Sequence, residues 1–265
     1  MMRRDELLNA LGLTPWRLRG TATPNADAGA EPQQQHIAVD LANALPREPQ
    51  PEKTPSALPA MAQETLSPDG RAQRIAQLSW DLFAADVAAC TACDLCKTRT
   101  KPVPGVGDVR ARWLFIGEGP GADEDRKGEP FVGQAGKLLD QMLAALGMKR
   151  GNDVYIANVL KCRPPNNRAP TPQEADACRP YLERQIALIQ PKIIVALGKS
   201  AAMLLLNTDA SIASLRGRVH RYREAPLVVT YHPAYLLRNP ADKAKSWEDL
   251  VFTKRHLESV LASEC

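Results

Sequence analysis

The chain has 265 residues, of which 44% are hydrophobic and 24% are charged, and its formal net charge is +4. This length and composition are typical of a globular protein with one well-buried domain and additional material. Its longest apolar runs, residues 193–197 and 201–206, are too short to cross a bilayer, which argues against a membrane-spanning protein. Acidic residues directly follow the first arginines, so no secretory signal is expected, and we predict a cytoplasmic protein with reduced cysteines.

Residues 1–20 have the pattern of an amphipathic docking peptide. Its apolar side chains are Leu7, Leu8, Leu11, Leu13 and Trp16. Such a cluster, ahead of a long polar stretch, has no core of its own to enter and favours contact with a partner. The segment resembles the amino-terminal peptide of the psi subunit of bacterial DNA polymerase III, which implies docking to the chi subunit. The alternative is a helix that packs back on the folded domain.

Residues 21–74 have the composition of a disordered linker. They contain no aromatic residue, and prolines recur along the segment. Such a stretch cannot bury enough apolar surface to offset the entropy lost on ordering. We therefore predict a tether up to residue 74 and a folded catalytic domain at residues 75–265.

Within that domain, short β-branched or aromatic runs alternate with longer amphipathic runs. The predicted strands cover residues 113–116, 154–158, 192–197 and 227–231. The predicted helices cover residues 75–89, 136–146, 172–189, 200–206 and 247–261. This alternation predicts a three-layer α/β/α fold with a central, mainly parallel four-stranded sheet.

Chemically distinctive residues follow three of the predicted strands. The glycine-rich turn 117–121 comes after the first strand, Asn158 ends the second, and His232 ends the last. Because ligands of such folds bind at the carboxyl ends of the strands, these residues are expected to share one site.

The turn also satisfies the spacing of a dinucleotide-binding fingerprint, but its context disfavours that function. Acidic residues at 123–125 would repel a pyrophosphate, and no phosphate-binding helix is expected to begin in the motif. A glycine-rich turn instead allows the backbone to approach a ligand closely, while Glu118 offers a carboxylate.

Four cysteines bracket this turn and predict a metal centre. Cys90 and Cys93 form a C-x2-C pair, and Cys162 and Cys178 follow far downstream. Thiolates suit zinc or an iron–sulfur cluster, and spacing alone does not separate the two. Cys96 extends the pair toward a ferredoxin pattern that lacks its last cysteine, so we interpret Cys96 as a spectator.

Taken in chain order, these motifs resemble the family 4 uracil-DNA glycosylases. The motifs that carry the resemblance are the C-x2-C pair, residues 117–121, 124–125 and 130–133, Asn158, residues 161–165, Cys178 and residues 232–237. The resemblance runs from about residue 81 to about residue 261. It implies a uracil-DNA glycosylase-like fold and a structural [4Fe–4S] cluster on Cys90, Cys93, Cys162 and Cys178.

The resemblance also implies roles for the residues of the base pocket. Phe131 is expected to stack on uracil, and Asn158 to hydrogen-bond its O4 and N3 edge. Glu124 would crowd the ring C5 and exclude thymine, while Gly119 lines the pocket. His232 would stabilise the negative charge that develops on uracil O2.

The implied activity is a monofunctional uracil-DNA glycosylase that leaves an abasic site and starts base-excision repair. Glu118 would orient the attacking water or stabilise the cationic sugar. We expect a bacterial, nucleoid-associated monomer that acts on uracil-containing DNA.

DNA contact is expected around this pocket. The residues predicted to face phosphates are Lys161, Arg163, Arg168, Lys199 and Ser200. The loop after His232 resembles the wedge that fills the vacated position in the duplex, with Leu236, Leu237 and Arg238 as candidates. A second basic stretch at residues 216–223 fits either a solvated face or a polyanion partner.

Three alternatives remain beside the glycosylase. A relative that becomes covalently attached to uracil-containing DNA is disfavoured, because residues 161–171 contain no histidine. A non-catalytic protein associated with the clamp loader is disfavoured by the intact pocket residues. An iron–sulfur redox protein is disfavoured because Thr100 stands where a ferredoxin carries cysteine.

Overall fold

The computed structural model describes residues 68–263, which fold around a six-stranded sheet. The strands are β1 (Val106–Gly107), β2 (Trp113–Gly117), β3 (Val154–Asn158), β4 (Ile193–Leu197), β5 (Val219–Tyr222) and β6 (Ala225–Thr230). Their order across the sheet is β1-β3-β2-β4-β6-β5. The predicted docking peptide and residues 21–67 of the predicted linker lie outside the described residues.

Helices connect the strands and follow the last of them. They are α1 (Pro68–Ala76), α2 (Trp80–Ala89), α3 (Ala122–Lys127), α4 (Gln134–Ala145), α5 (Pro172–Ile189), α6 (Lys199–Leu206), α7 (Ile212–Leu215), α8 (Pro233–Arg238) and α9 (Lys243–Ser263). Short 3₁₀ turns cover Asp94–Lys97, Pro165–Asn167 and Pro240–Asp242. Between residues 68 and 263, no helix has both the length and the apolar character needed to span a membrane.

The centre of the sheet consists of the four strands predicted from sequence. Strands β3, β2, β4 and β6 lie side by side and run parallel. Every residue of β2, β3 and β4 is buried, as expected for strands covered on both faces. The register pairs Gly117 with Asn158, so the ends of β2 and β3 lie next to each other.

Two antiparallel edge strands extend the predicted four-stranded sheet to six. β1 pairs with β3, and β5 pairs with β6. Neither is marked by hydrophobic alternation: β1 has two residues, and β5 lies within the basic stretch at residues 216–223. That stretch is therefore an edge strand with its flanking turns.

The core lies on both faces of the sheet, which confirms the three-layer arrangement. Leu114 and Ile116 pack on one face with residues of α5 and α6. Trp113 and Phe115 pack on the other face with residues of α4 and α9. Successive β2 side chains therefore enter opposite core layers, as the pleat of a strand requires.

The amino-terminal helices differ from the prediction in two respects. Helix α1 (Pro68–Ala76) lies largely inside the segment predicted as linker. The single helix predicted at residues 75–89 is broken before Trp80, where Ser79 has an extended backbone and precedes α2. Both helices contribute to a third apolar cluster in which Ile75 and Phe83 pack with Tyr181 of α5.

Candidate active site

A cavity of about 470 Å³ opens at the carboxyl ends of the parallel strands. The residues that follow β2, β3, β4 and β6 all reach it, as expected for a binding site in an open α/β sheet. The structure brings ten predicted site residues to this cavity: Glu118, Gly119, Glu124, Phe131, Asn158, Arg168, Lys199, Ser200, His232 and Arg238. Four of the predicted DNA contacts do not line it: Lys161, Arg163, Leu236 and Leu237.

Gly117 allows the aromatic and amide groups to meet at the end of β2. A Cβ atom at Gly117 would lie 2.5 Å from Oδ1 of Asn158 and 2.7 Å from Cζ of Phe131. Both distances are below ordinary van der Waals contact, so a side chain at this position would displace one of these groups. The Phe131 ring in turn lies 5.4 Å from the His232 ring, centroid to centroid, at an angle of 31°.

Asn158 presents an unpaired acceptor. The residue is 2% exposed, and its Oδ1 atom has no hydrogen-bond partner among residues 68–263. A buried amide oxygen without a donor costs about 1–3 kcal/mol. Because Asn158 also lines the cavity, a ligand with an N–H group can supply the missing donor.

A backbone hydrogen bond determines which ring nitrogen of His232 carries the proton. Its Nδ1 accepts a hydrogen bond from the N–H of Ala234 at 3.1 Å, so the neutral ring carries its proton on Nε2. Burial is the main cause that lowers the pKa of His232 to about 4, and Arg238 lowers it further. Gly198 makes room for this arrangement, since a Cβ there would lie 2.8 Å from Cβ of His232.

Glu124 fixes the loop that carries Phe131. One carboxylate oxygen accepts hydrogen bonds from the N–H groups of Val132 and Gly133 at 2.9 and 3.0 Å, and the other accepts from Gly121 at 3.1 Å. This loop is tightly bent, because Phe131 has a positive φ of 54°. The predicted contact of Glu124 with the uracil C5 position thus belongs to a side chain that also holds the loop together.

A short helix does begin directly after the glycine-rich turn, contrary to the sequence expectation. Gly121 precedes α3, whose first turn contains Asp123, Glu124 and Asp125. Asp125 is buried and accepts hydrogen bonds from the backbone N–H of Thr100. The expectation that no helix begins here was wrong. The negative charge of these carboxylates still disfavours a bound pyrophosphate.

The glutamate of the turn lies beside these groups. Glu118 is half-buried and lines the cavity. Its backbone oxygen accepts a hydrogen bond from the N–H of Leu160 at 3.0 Å, which fixes the turn against the segment after β3. Gly119 has ordinary space around it, since a Cβ there would meet Leu160 at 3.5 Å.

Two of the predicted DNA contacts are wrong. Lys161 is 1% exposed, and its ammonium donates to the backbone oxygen of Asn158 and to the side chain of Gln185. Leu236 is also 1% exposed and packs with Leu138 and Tyr231. Neither side chain can reach a phosphate or a base stack.

The segment predicted as a wedge-like loop forms helix α8. Within this helix Leu236 points into the core, whereas Leu237 is 44% exposed and Arg238 is exposed. Leu237 is therefore the exposed leucine of this segment.

The remaining basic candidates differ in how far their charge is compensated. Arg168 forms two hydrogen bonds with Glu174, whose pKa falls to about 2 mainly because of this pair. Arg163 donates to the side chain of Asn167 at 2.8 Å. Lys199 and Ser200 begin α6 at the rim of the cavity, and Lys199 is exposed.

The basic stretch at residues 216–223 is largely neutralised by neighbouring acidic residues. Arg216 pairs with Asp249 and Glu248, Arg221 lies 3.7 Å from Glu224, and Arg223 pairs with Glu183. These pairs favour the solvated-face interpretation over a polyanion partner.

A second, smaller cavity collects the cysteine side chains. Cys90, Cys93, Cys162 and Cys178 all line it, and Cys96 lines it as well. Burial raises the pKa of Cys178 to about 12, so a cationic partner or metal is needed to hold this thiol as a thiolate. In the part of the chain that the structure describes, however, no three histidine, cysteine or acidic side chains are grouped closely enough for one metal ion.

Hydrogen-bond donors around this cavity fit an anionic sulfur centre. Nη1 of Arg99 donates to Sγ of Cys162 at 2.9 Å, and Nη2 of Arg71 donates to Sγ of Cys90 at 3.4 Å. The backbone N–H of Lys161 donates to Sγ of Cys178 at 3.2 Å. Donors of this kind stabilise thiolates and the sulfurs of iron–sulfur clusters.

Sequence reasoning missed several residues of the two cavities. Arg71 lies in a segment predicted as linker, and Arg99 lies in the irregular chain after the first cysteines. An arginine close to a C-x2-C pair is the signal that was available for Arg99. Asn167 and Tyr235, which line the larger cavity, were marked only by their nearness to predicted site residues.

Comparison with known proteins identifies the family. Residues 104–251 match the sequence model of the uracil DNA glycosylase superfamily, and the chain belongs to this superfamily. A type-4 uracil-DNA glycosylase from Archaeoglobus fulgidus is 48% identical over 170 residues, which cover 61% of this chain and 85% of that relative. The corresponding protein from Thermotoga maritima is 46% identical over 167 residues, covering 62% and 86%.

A type-5 uracil-DNA glycosylase from Thermus thermophilus is more distant. It is 36% identical over 137 residues, which cover 46% of this chain and 60% of that relative. Within the superfamily, the chain therefore belongs with the type-4 members, which it matches over most of their length.

Proposed function

We propose that this protein hydrolyses the N-glycosidic bond of uracil in DNA, leaves an abasic site and thereby starts base-excision repair. Membership of the superfamily and the identity to type-4 uracil-DNA glycosylases support this activity and uracil-containing DNA as the substrate. The structural observation that carries the proposal is Asn158, which lines the cavity and whose buried Oδ1 has no donor among the described residues. A base that brings an N–H group to this atom removes an energetic cost of the free protein.

Recognition of the base rests on Asn158 and Phe131. The N3–H of uracil would donate to Oδ1 of Asn158, and the amide nitrogen would donate to O4. Cytosine inverts this pattern at both atoms and leaves buried polar groups unpaired, which a site of this kind rejects strongly. Stacking on Phe131 contributes about 1–3 kcal/mol, which offsets much of the cost of extracting the base.

The leaving group is stabilised by His232. As the glycosidic bond breaks, negative charge develops on uracil, and the Nε2–H of the neutral ring donates to O2. The backbone bond to Nδ1 and the lowered pKa keep the ring neutral, so it acts as a hydrogen-bond donor rather than as a proton source. A single donor of this type typically accounts for about 10²–10³-fold in rate.

Glu118 is assigned to the other side of the reaction. Its carboxylate shares the cavity with His232 and can orient the attacking water or stabilise the cationic sugar. Gly119 supplies backbone at the pocket wall without a side chain to obstruct the ring.

DNA binding is assigned to groups at the rim of the cavity and on the segments next to it. Lys199, Ser200 and Arg163 would contact phosphates, with a smaller contribution from Arg168 because Glu174 compensates its charge. Arg238 and Leu237 are exposed at the end of α8 and would enter the position that the flipped nucleotide vacates.

The cysteine cavity is assigned to a [4Fe–4S] cluster held by Cys90, Cys93, Cys162 and Cys178. The four cysteines line one cavity, and three of their sulfurs accept hydrogen bonds from Arg71, Arg99 and the backbone of Lys161, which supports an iron–sulfur cluster at this place. When bound, the cluster would tie the chain before β2 to α5 and the segment after β3, and hydrolysis of the glycosidic bond needs no electron from it.

The amino-terminal prediction extends the proposal to recruitment. We assign catalysis to the domain that contains the sheet, and residues 1–20 to docking on the chi subunit of DNA polymerase III through a linker. A pull-down in which deletion of residues 1–20 leaves chi binding unchanged would refute this second part only.

An alkaline strand-cleavage assay on uracil-containing DNA tests the activity. Iron-replete wild type is compared with His232→Ala and with His256→Ala, a control histidine on α9 that stacks on Phe252. We expect about 10²–10³-fold loss for the first variant and wild-type activity for the control. No abasic product from the wild type, or equal activity of His232→Ala, would contradict the proposal.

A further inference from the structure

Lys161 connects the two cavities of the molecule. Its backbone N–H donates to Sγ of Cys178 at 3.2 Å, and its Nζ donates to the backbone oxygen of Asn158 at 2.7 Å. One residue thus joins a sulfur of the cysteine cavity to the asparagine with the unpaired Oδ1. The side chain is 1% exposed, so it is not available for direct contact with DNA.

The second acceptor of the ammonium is itself held in place. Oε1 of Gln185 lies 2.5 Å from Nζ of Lys161, while its Nε2 donates to the backbone oxygen of Pro104 at 2.7 Å and to the Tyr155 hydroxyl at 3.2 Å. Gln185 and Cys178 both lie on α5, two helical turns apart and therefore on one face. Helix α5 thus contacts both ends of Lys161.

A buried ammonium destabilises the folded state more than an apolar side chain of the same size does. Removing its charge from water costs several kcal/mol unless hydrogen bonds compensate, and an apolar side chain of similar length would avoid this cost. The ammonium does, however, fix the carbonyl of Asn158 where β3 ends. Holding that carbonyl fixes the backbone of Asn158 and with it the direction of its side chain.

We propose that Lys161 is a positioning residue for uracil recognition, which holds Asn158 at a set place relative to the cysteine cavity. This inference rests on the proposed function, in which Asn158 hydrogen-bonds the base. It predicts that losing the ammonium weakens binding of the base and leaves binding of the DNA backbone intact.

Equilibrium binding to two DNA probes tests the inference. The first is a duplex with a 2′-fluorinated deoxyuridine, whose glycosidic bond resists cleavage, and the second carries a tetrahydrofuran abasic analogue. In Lys161→Met we expect about 10- to 100-fold weaker binding of the first probe, since a misplacement of about 1 Å can cost 10²-fold. Binding of the abasic probe and the iron content per chain should match the wild type.

Two further variants make the result specific. Asn158→Ala should show the same selective loss of affinity for the first probe. The double variant Lys161→Met/Asn158→Ala should bind this probe no more weakly than Asn158→Ala alone, because both changes remove the same interaction with the base. Gln185→Met removes the other acceptor of the ammonium but keeps the bond to Asn158. It should lower the melting temperature and preserve the ratio of the two affinities.

The outcomes separate the inference from the proposed function. If Asn158→Ala shows no selective loss, the assignment of Asn158 fails. Suppose instead that Asn158→Ala shows the selective loss. Lys161 then has no positioning role if Lys161→Met binds both probes like the wild type, or binds both more weakly by the same factor. Should Lys161→Met not fold, Lys161→Gln takes its place, and equal affinity changes for both probes would again overturn the inference.

Discussion

Replacing Gly117 with alanine should separate the base-binding geometry from the rest of the fold. An added Cβ would lie 2.5 Å from Oδ1 of Asn158 and 2.7 Å from Cζ of Phe131. The backbone of Gly117 is that of an ordinary strand residue, so alanine introduces no conformational strain of its own. The effect of Gly117→Ala is therefore steric and falls on the two groups assigned to the base.

The magnitude follows from these distances. Ordinary carbon contacts are about 3.5 Å, so the Asn158 amide must move by about 1 Å to accommodate the new methyl group. A misplacement of about 1 Å in a binding group can cost about 10²-fold in kcat/KM, which corresponds to about 2.8 kcal/mol. Overpacking should also lower the free energy of unfolding by about 1–3 kcal/mol.

Single-turnover cleavage of uracil-containing DNA and thermal unfolding measure the two effects. Gly147→Ala serves as the control, because its Cβ would meet no atom within 4 Å while its φ of +77° makes alanine unfavourable. It should lower stability without lowering kcat/KM. A folded Gly117→Ala with wild-type kcat/KM would refute the assignment of Phe131 and Asn158 to the base.

Three other predictions follow from the described contacts. The pKa of His232 is lowered from 6.5 to about 4, so the contribution of this residue to stability is complete above pH 6.5 and is lost as the pH falls toward 4. The melting temperature of His232→Gln should therefore depend less on pH between 6.5 and 4 than that of the wild type. An unchanged pH dependence would contradict the argument that burial lowers this pKa. Leu236→Ala should lower the free energy of unfolding by about 2–5 kcal/mol, whereas Leu237→Ala should keep stability and lose activity on duplex more than on single-stranded substrate. The assignment of Leu237 fails if both substrates are affected equally. Cys178→Ser should lose iron and melting temperature together, as measured by metal analysis and calorimetry, and a fully iron-loaded variant would exclude Cys178 as a ligand.

The elements that sequence predicted well are those with strong local signals. Strands β2, β3 and β4 are buried along their whole length and β6 over its last four residues, and the continuous apolar runs of these strands mark them in the sequence. Helix α5 has the predicted bounds because Thr171 and Glu174 form a capping box at its start. The edge strand β1 has no such signal, since its two residues are ordered by pairing with β3.

The side chains that sequence misplaced depend on contacts distant in the chain. A lysine in a basic motif is ordinarily exposed, whereas Lys161 is buried and its ammonium donates hydrogen bonds to the side chain of Gln185 and to the carbonyl of Asn158. Leu236 and Leu237 are adjacent residues of the same type, and the face of α8 on which each one lies decides that Leu236 enters the core. The neighbouring residues in the sequence do not reveal the hydrogen-bond acceptors of Lys161 or the buried face of α8.

The three backbone hydrogen bonds of Glu124 limit how base preference can change. Its carboxylate binds the N–H groups of Gly121, Val132 and Gly133, so the loop beside Phe131 depends on it. In the proposed function, a mutation of Glu124 that admits a larger pyrimidine would also loosen the loop that carries Phe131, the ring assigned to base stacking. Broader substrate range is therefore more accessible to evolution, and to engineering, through other positions of the pocket wall.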